Sequence, residues 1–450
     1  MDFLSQKEVR AGQWLAGSVL VIGAGLMSPF GDLDAPGTVP SFLASAFVMA
    51  LAFLLAIRLP CFPSGLFWVP AVAARFVLLG SAPGTDIYRY IWEGSIQGHG
   101  FSPYCLAPEA AELAPFRDAA WEFITYKHVT AIYPPAAEVA FAAVAAFSDE
   151  VLVFKSAFLA ADLIICFLLV RQFGRRRALV YGWNPLVIYS FAGGGHYDSW
   201  FLLALVGAWL LWERRDASWR HASGAVGLLG LAVALKWVSL PVLGWVLWRI
   251  RREHGLARSL SAAIIGMAPL AVSWAVVNWG SLECPILPAD FSSTARSAEL
   301  IPAVVGRFLP EPYASKHNEV YLGLFLLLSF WLLFHARSFA RATQSVLMAA
   351  LLTTPMFHAW YATWLAPFAA RTRSRAAVAF SLSSFTYFWL HHTVSQPGGV
   401  WKQSLPENLL LWSPLLAGIA WDRFFASKVT HPRAKRLLQE RRQMRTPHSL

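Results

Sequence analysis

Apolar runs long enough to cross about 30 Å of hydrocarbon, roughly 17 to 25 residues each, recur from Gln13 to His392 and again from Leu409 to Phe425. This repetition decides the solvent before any fold is considered. With 57% hydrophobic and 14% charged residues and a mean hydropathy of +0.49, against roughly 25% charged in an ordinary globular protein, the chain reads as an all-α polytopic membrane protein. The 450 residues are therefore not several soluble domains. A content of 21 Trp and 32 Phe with only four Cys also excludes a disordered chain and a disulfide scaffold.

About fourteen crossings are expected, some of them short. The clear ones are 13–30, 40–59, 66–79, 151–170, 179–192, 200–212, 257–279, 320–334, 376–390 and 409–425. The stretches 222–248 and 344–368 each read as two short helices meeting near Lys236 and His358. Loops rich in Lys and Arg stay cytoplasmic, and with the N-terminus inside, 27 of the 37 Lys and Arg fall on that side. The bias explains the net charge of +11 as topology and attraction to anionic lipid, so nucleic acid is not an expected partner. No small-residue cleavage site follows Met1 to Gly12, and the first helix reads as an uncleaved anchor. Residues 1–427 form one membrane domain without linkers or repeats, followed by a basic cytoplasmic tail, 428–450.

Two long loops remain on the outer side, 80–150 and 280–319, rich in Pro, Trp, Tyr and carboxylates. Long loops on a rigid scaffold commonly hold function, so the chemistry is expected to face outward. At helical spacing Asp86, Arg89, Tyr90, Glu93 and Gln97 share one face of a short surface helix, with Ile87 and Ile91 on another. That polar stripe would open to a cavity. Asp86 is a candidate general base; its structural alternative is a helix cap paired with Arg89 or Arg117. Lys236 lies in an otherwise apolar stretch, where an ionisable group marks a functional cavity or a snorkelling side chain. His196 and Asp198 follow three glycines in a short outer turn. His358, Trp360 and Tyr361 sit at a helix junction, as sugar-stacking or membrane-belt aromatics. Arg75 and Asp162 fall inside spans, where pairing with one another or with other polar groups of the bundle would offset the cost of burial. Cys105 and Cys284 both map to outer loops, where a disulfide is chemically allowed in an oxidising compartment, whereas Cys61 falls at the inner face and Cys166 within a span.

The run Asp86 to Tyr104, with Gly94, Gly100 and Pro103-Tyr104, resembles the first outer loop of the C-type fold glycosyltransferases that use polyprenyl-phosphate sugars, above all the bacterial α-mannosyltransferase branch. Matching features follow in order: Tyr133-Pro134-Pro135, Trp183-Asn184-Pro185, Gly195-His196-Tyr197-Asp198, Lys236 with Pro241, and Pro355 to Tyr361. The resemblance implies a fold of about 12–14 transmembrane helices with short surface helices in the outer loops. It further implies a bacterial plasma-membrane enzyme, both termini cytoplasmic, with Asp86 as base in an inverting displacement from a lipid-phosphate hexose, mannose by resemblance alone. A departing phosphate needs cationic donors; Arg89, His196 and Lys236 are the candidates. Tyr90, Glu93, Asp198, His358, Trp360 and Tyr361 complete the expected substrate contacts. No cofactor is expected. Asp86 is followed by Ile87 and Tyr88 rather than by the second acid of an Asp-x-Asp metal motif, which leaves a divalent cation weakly supported through Glu93 and Asp198. The acceptor, whether glycan, glycolipid or protein, stays open. A transporter or flippase of lipid-linked sugars is the alternative from another class; it would show internal repeats and mid-membrane sites, which this sequence lacks.

Overall fold

The computed structural model describes residues 5–60, 62–214, 218–278, 284, 293–311, 313 and 317–443, with side chains described as far as residue 424. Cys61 and the end of the basic tail lie outside the described residues. Among the described residues there are helices and turns but no strand, apart from an isolated bridge between Ser297 and Met356. The chain runs α1 (Gln6–Met27), α2 (Thr38–Ala56), α3 (Ser64–Leu79), α4 (Asp86–Gly98), α5 (Pro135–Ala145), α6 (Val151–Phe173), α7 (Arg175–Gly182), α8 (Pro185–Ile188), α9 (Asp198–Trp212), α10 (Trp219–Leu235), α11 (Leu240–His254) and α12 (Leu256–Val277). After the second long loop come α13 (Glu319–Phe334), α14 (Phe339–Thr353), α15 (Ala366–Thr372), α16 (Arg375–Ser383), α17 (Trp389–Ser395) and α18 (Leu405–Gln443).

This is an all-α membrane protein. Four helices, those containing α1, α2, α6 and α12, are long and apolar enough to cross a bilayer unaided. Most other apolar stretches are shorter, and sequence punctuation explains where they break. The expected span 179–192 is divided at Trp183-Asn184-Pro185: the Asn184 side chain accepts from the amides of Leu186 and Val187, Pro185 opens α8 without needing a donor, and a π-turn, Tyr189–Gly193, follows. Trp183 is fixed by its indole N–H donating to the Phe67 carbonyl at 2.9 Å. The two expected junctions are present. Lys236 is extended (φ −159°, ψ 117°) between α10 and α11, and His358 is extended (φ −124°, ψ 147°) between α14 and the turn Ala359–Leu365 that leads into α15. At the C-terminus α18 continues as one helix through Gln443, so the first part of the expected tail is helical.

The bundle has a basic end and a loop end. Arg171, Arg175, Arg251, Arg337 and Arg371 lie at or beside helix termini of the first, and the segments around α4, α5 and Ser297 form the second. Between the ends, Arg75 of α3 donates to Asp162 of α6 through Nε (2.5 Å) and Nη2 (3.2 Å), and through Nη1 to the carbonyls of Ala71 and Gly182. Both side chains are fully buried, and the two spans are joined by the pairing that the sequence allowed.

Three devices position α4 at the loop end. The Gly84 amide donates to the Gly194 carbonyl at 2.9 Å, tying the start of α4 to the turn before α9. Lys155 of α6, buried, donates to the carbonyls of Ser81 (2.7 Å) and Leu78 (3.4 Å), holding the end of α3. Gly94 faces α5 so closely that a Cβ there would lie 2.5 Å from the Phe141 carbonyl oxygen. A disulfide between Cys105 and Cys284 joins the first long loop to the second. Ser297 bonds the backbone of Pro355 and Phe357 on either side (3.0 and 2.7 Å), so the second loop also touches the strand-like segment that carries His358.

Candidate active site

At the first residue of α4, Asp86 is about one-third exposed, and its Oδ2 lies 3.6 Å from Nδ1 of the buried His196. That separation is an ion-pair distance, longer than a hydrogen bond. Neither Arg89 nor Arg117, the alternative partners expected from spacing, reaches Asp86: the first turns to Glu93, the second to the carbonyls of Glu109 and Ala110. Burial raises the Asp86 pKa, but His196, His358 and Lys236 together outweigh it and hold the carboxyl below its ordinary value. Asp86 is thus a carboxylate across the neutral range.

His196 stacks on Trp360 at 3.6 Å between ring centroids, and Trp360 stacks on His358 at 4.5 Å. The column ends in a 2.6 Å hydrogen bond between His358 Nδ1 and the Tyr387 hydroxyl. Burial lowers the His358 pKa to about 4; His196 and Lys236 add to that effect against the opposing pull of Asp86. A neutral imidazole at neutral pH follows. The geometry arises locally from Gly195, at φ 71°, which lets the chain turn sharply so that the His196 amide can donate to the Ser190 carbonyl.

Beside this column Lys236 Nζ donates to Asp198 Oδ1 at 2.6 Å, and the Trp364 indole N–H donates to the same oxygen at 2.6 Å. Four rings surround the ammonium, Tyr361 at 4.6 Å, Tyr197 and Trp364 at 5.0 Å and Phe201 at 5.9 Å, all within cation–π range. Among the described residues, His196 Nδ1 and Asp198 Oδ2 are buried without a hydrogen-bond partner. Polar atoms left unmatched in this way cost about 1–3 kcal/mol each unless something else meets them, which makes this face suited to a polar ligand.

The structure therefore brings together Asp86, His196, Asp198, Lys236, His358, Trp360 and Tyr361. It does not bring Arg89, Tyr90 or Glu93 to the same face, and the expectation of an α4 polar stripe open to a cavity is corrected. Arg89 is 3% exposed; its Nε donates to Glu93 Oε1 (2.7 Å), and its terminal nitrogens donate to the carbonyls of Thr125, Tyr126, Val129 and Thr130. All five N–H groups are engaged, so none is left for a phosphate. Glu93 faces Glu138 of α5: burial, then the neighbouring Glu93 carboxylate, lifts Glu138 well above the usual range, and it carries a proton toward Glu93. Gln97 donates to Glu138 and to the Glu93 carbonyl. Tyr90 is packed among Tyr133, Phe141, Phe158 and Tyr197. Trp364 and Tyr387 were missed from sequence; Trp364 was findable as the residue one turn beyond Trp360 and Tyr361. Among the described residues no group of three or more His, Cys, Asp or Glu side chains converges as metal ligands would.

Residues 66–252 match the family described as α-(1→6)-mannopyranosyltransferase, N-terminal domain (the MptA_B family). The matched segment runs from α3 through most of α11 and contains Asp86, His196, Asp198 and Lys236, whereas His358, Trp360 and Tyr361 lie beyond it. Neither the curated proteins nor the solved structures contain a match.

Proposed function

We propose that this chain, whose residues 66–252 match the N-terminal domain of the α-(1→6)-mannopyranosyltransferase family, is a membrane-embedded hexosyltransferase that moves mannose from a polyprenyl-phosphate mannose by inverting displacement at the loop end, on the outer face of the membrane. The acceptor hydroxyl gives its proton to Asp86 as its oxygen bonds to the anomeric carbon. The bond from that carbon to the phosphate oxygen breaks, and polyprenyl phosphate leaves. An α product formed with inversion requires a β-linked donor.

The observation that carries this reading is the convergence of a carboxylate, Asp86, with an ammonium and an imidazole, Lys236 and His196, whose surroundings leave buried polar atoms unmatched. Charge that builds on a departing phosphate is stabilised by donors already in place, and the effect is strongest where water is excluded. Lys236 supplies a point charge and His196 a directed ring nitrogen. A lipid-linked donor is favoured by an apolar cavity of about 380 Å³ that begins five residues after Lys236, between Pro241, Gly244 and Trp245 of α11 and Leu326, Phe330 and Phe334 of α13. An isoprenoid chain fits such a groove with its phosphate directed toward Lys236. The Cys105–Cys284 disulfide favours an oxidising compartment for the loop end, in agreement with the basic character of the other end.

The donor assignment is tested in proteoliposomes with labelled mannose presented either as polyprenyl-phosphate mannose or as a nucleotide diphosphate mannose, each with and without EDTA. Transfer from the lipid monophosphate alone, unaffected by chelation, is the expected result. Transfer from the nucleotide sugar, or activity abolished by EDTA and restored by magnesium or manganese, contradicts the proposal; label crossing the bilayer without a new glycosidic bond makes the protein a transporter.

A further inference from the structure

The far end of the aromatic column is anchored by the second long loop. Ser297 is buried and its backbone is held on both sides: the amide donates to the Pro355 carbonyl (3.0 Å), and the carbonyl accepts from the Phe357 amide (2.7 Å). Its hydroxyl is held too, accepting from the Trp401 indole N–H at 3.0 Å and bonding to the Tyr387 hydroxyl. The rings agree with that placement, since the Tyr387 ring lies 6.2 Å from those of both Trp401 and Phe357, between centroids. Tyr387 in turn meets His358 Nδ1 at 2.6 Å. Trp401 has its own support in His391, edge-on at 5.0 Å, whose Nδ1 reaches Asp34 Oδ1 at 2.7 Å.

An indole N–H can only donate, and this sets the direction of the relay. With Trp401 donating to Ser297, the Ser297 hydrogen goes to the Tyr387 oxygen, the Tyr387 hydrogen goes to His358 Nδ1, and every hydrogen has an acceptor. In the opposite sense His358 would donate to Tyr387 and Tyr387 to Ser297. Ser297 would then receive two donors, and its own hydrogen would meet no acceptor among the described residues. A head-to-tail order, in which each bond polarises the next, is favoured over that collision. His358 is neutral at neutral pH, so an Nδ1 that accepts leaves the ring proton on Nε2. Among the described residues Nε2 has no protein partner, and unlike His196 Nδ1 it is not a sealed, unmatched atom.

We infer that Ser297 and Tyr387 are positioning residues that hold His358 in the tautomer with its proton on Nε2, presenting a neutral N–H donor to a substrate oxygen. Lys236 supplies charge without direction; a fixed imidazole N–H supplies direction without charge. The second loop, joined to the first by the Cys105–Cys284 disulfide, thereby completes the site. Without Ser297 the Tyr387 hydrogen can turn either way, and His358 can offer a lone pair where the substrate needs a donor. The inference rests on the mannosyl-transfer reading for the substrate that the N–H meets, and not for the tautomer itself.

Tyr387→Phe removes one oxygen and keeps the ring packed against Phe357, Phe388 and Trp401. Mannosyl transfer in proteoliposomes is expected to show kcat/KM about tenfold below wild type for Tyr387→Phe and about threefold below for Ser297→Ala. A His358→Gln background separates positioning from structure, because a glutamine amide offers an N–H near the Nε2 position and has no tautomer to set. There Tyr387→Phe should change kcat/KM by less than about twofold; an equal loss in both backgrounds overturns the inference. A second readout needs no substrate: nitrogen NMR of the protein carrying isotope-labelled histidine in nanodiscs, with His358 assigned by the signals missing from His358→Gln. Wild type is expected to show a protonated Nε2 and a bare Nδ1, and Tyr387→Phe a mixture of the two tautomers. A proton on Nδ1 in wild type overturns the inference even where mannose is transferred, and the expected tautomer without any transfer defeats only the proposed function.

Discussion

The two ends of α4 carry similar residues in opposite states. At the C-terminal end Arg89, Glu93 and Gln97, with Glu138 of α5, form a network in which all five guanidinium N–H groups are engaged and one carboxyl is protonated to accommodate its neighbour. At the other, Asp86, His196, Asp198 and Lys236 stand close together yet leave a buried imidazole nitrogen and a carboxylate oxygen without partners. Burial and charge alone do not separate scaffold from site. The difference lies in whether the cation is fully committed within the protein: Arg89 has no N–H left to give, whereas Lys236 donates to one carboxylate oxygen and keeps donors for a ligand.

Exchanging a residue at each end sharpens the contrast. Lys236→Met keeps the length of the stem and removes the charge; steady-state kinetics should show kcat/KM falling about 10²- to 10³-fold, the usual effect of removing one donor to developing charge. An effect under about threefold would move the phosphate contact elsewhere. Arg89→Lys, at the saturated end, should act mainly on stability. It replaces five N–H groups in a fixed fork with three on a point charge, so about 1–3 kcal/mol is lost, read as a lower unfolding temperature of the purified protein; a large loss of kcat/KM with unchanged stability would erase the distinction between the two ends.

The smallest effect is on pH dependence. In wild type, Asp86 is held below its ordinary pKa and His358 near 4, so neither contributes an acid limb to kcat/KM above about pH 5. His196→Gln removes the imidazole 3.6 Å from Asp86 that opposes the effect of burial, so the Asp86 pKa rises and the acid limb moves to higher pH. A profile that stays in place, or shifts downward, would show that His196 does not govern the charge of Asp86.

Much of this was legible in the sequence because membrane burial makes ionisable residues conspicuous. Arg75 and Asp162 could be read as candidate partners from their depth alone, and Lys236 and His358 marked helix breaks that are present. The orientation of α4 was not legible. Residues spaced as Asp86, Arg89, Glu93 and Gln97 form the same stripe whether they face water or another helix, and the amphipathic pattern does not state which. The signal that could have decided it is Glu138, a single acid in the apolar run Pro135 to Ala145, since a carboxyl there requires a polar partner on the neighbouring helix. Lys155 was equally readable as a buried cation, but its role in holding the end of α3 depends on carbonyls that carry no mark in sequence. Trp364 could be found by its spacing from Trp360 and Tyr361, whereas Tyr387 was hidden among many aromatics and only its contact with His358 distinguishes it.

The most direct measurement is mannosyl transfer by Asp86→Asn in proteoliposomes, with the amount of folded protein matched to wild type by its unfolding transition. The substitution keeps the shape of the side chain and removes the proton acceptor. The account predicts an unfolding temperature within a few degrees of wild type and turnover reduced about 10²- to 10⁴-fold. Turnover within a fewfold of wild type would contradict it, placing the base elsewhere in the cluster, with Asp198 the next carboxylate to test.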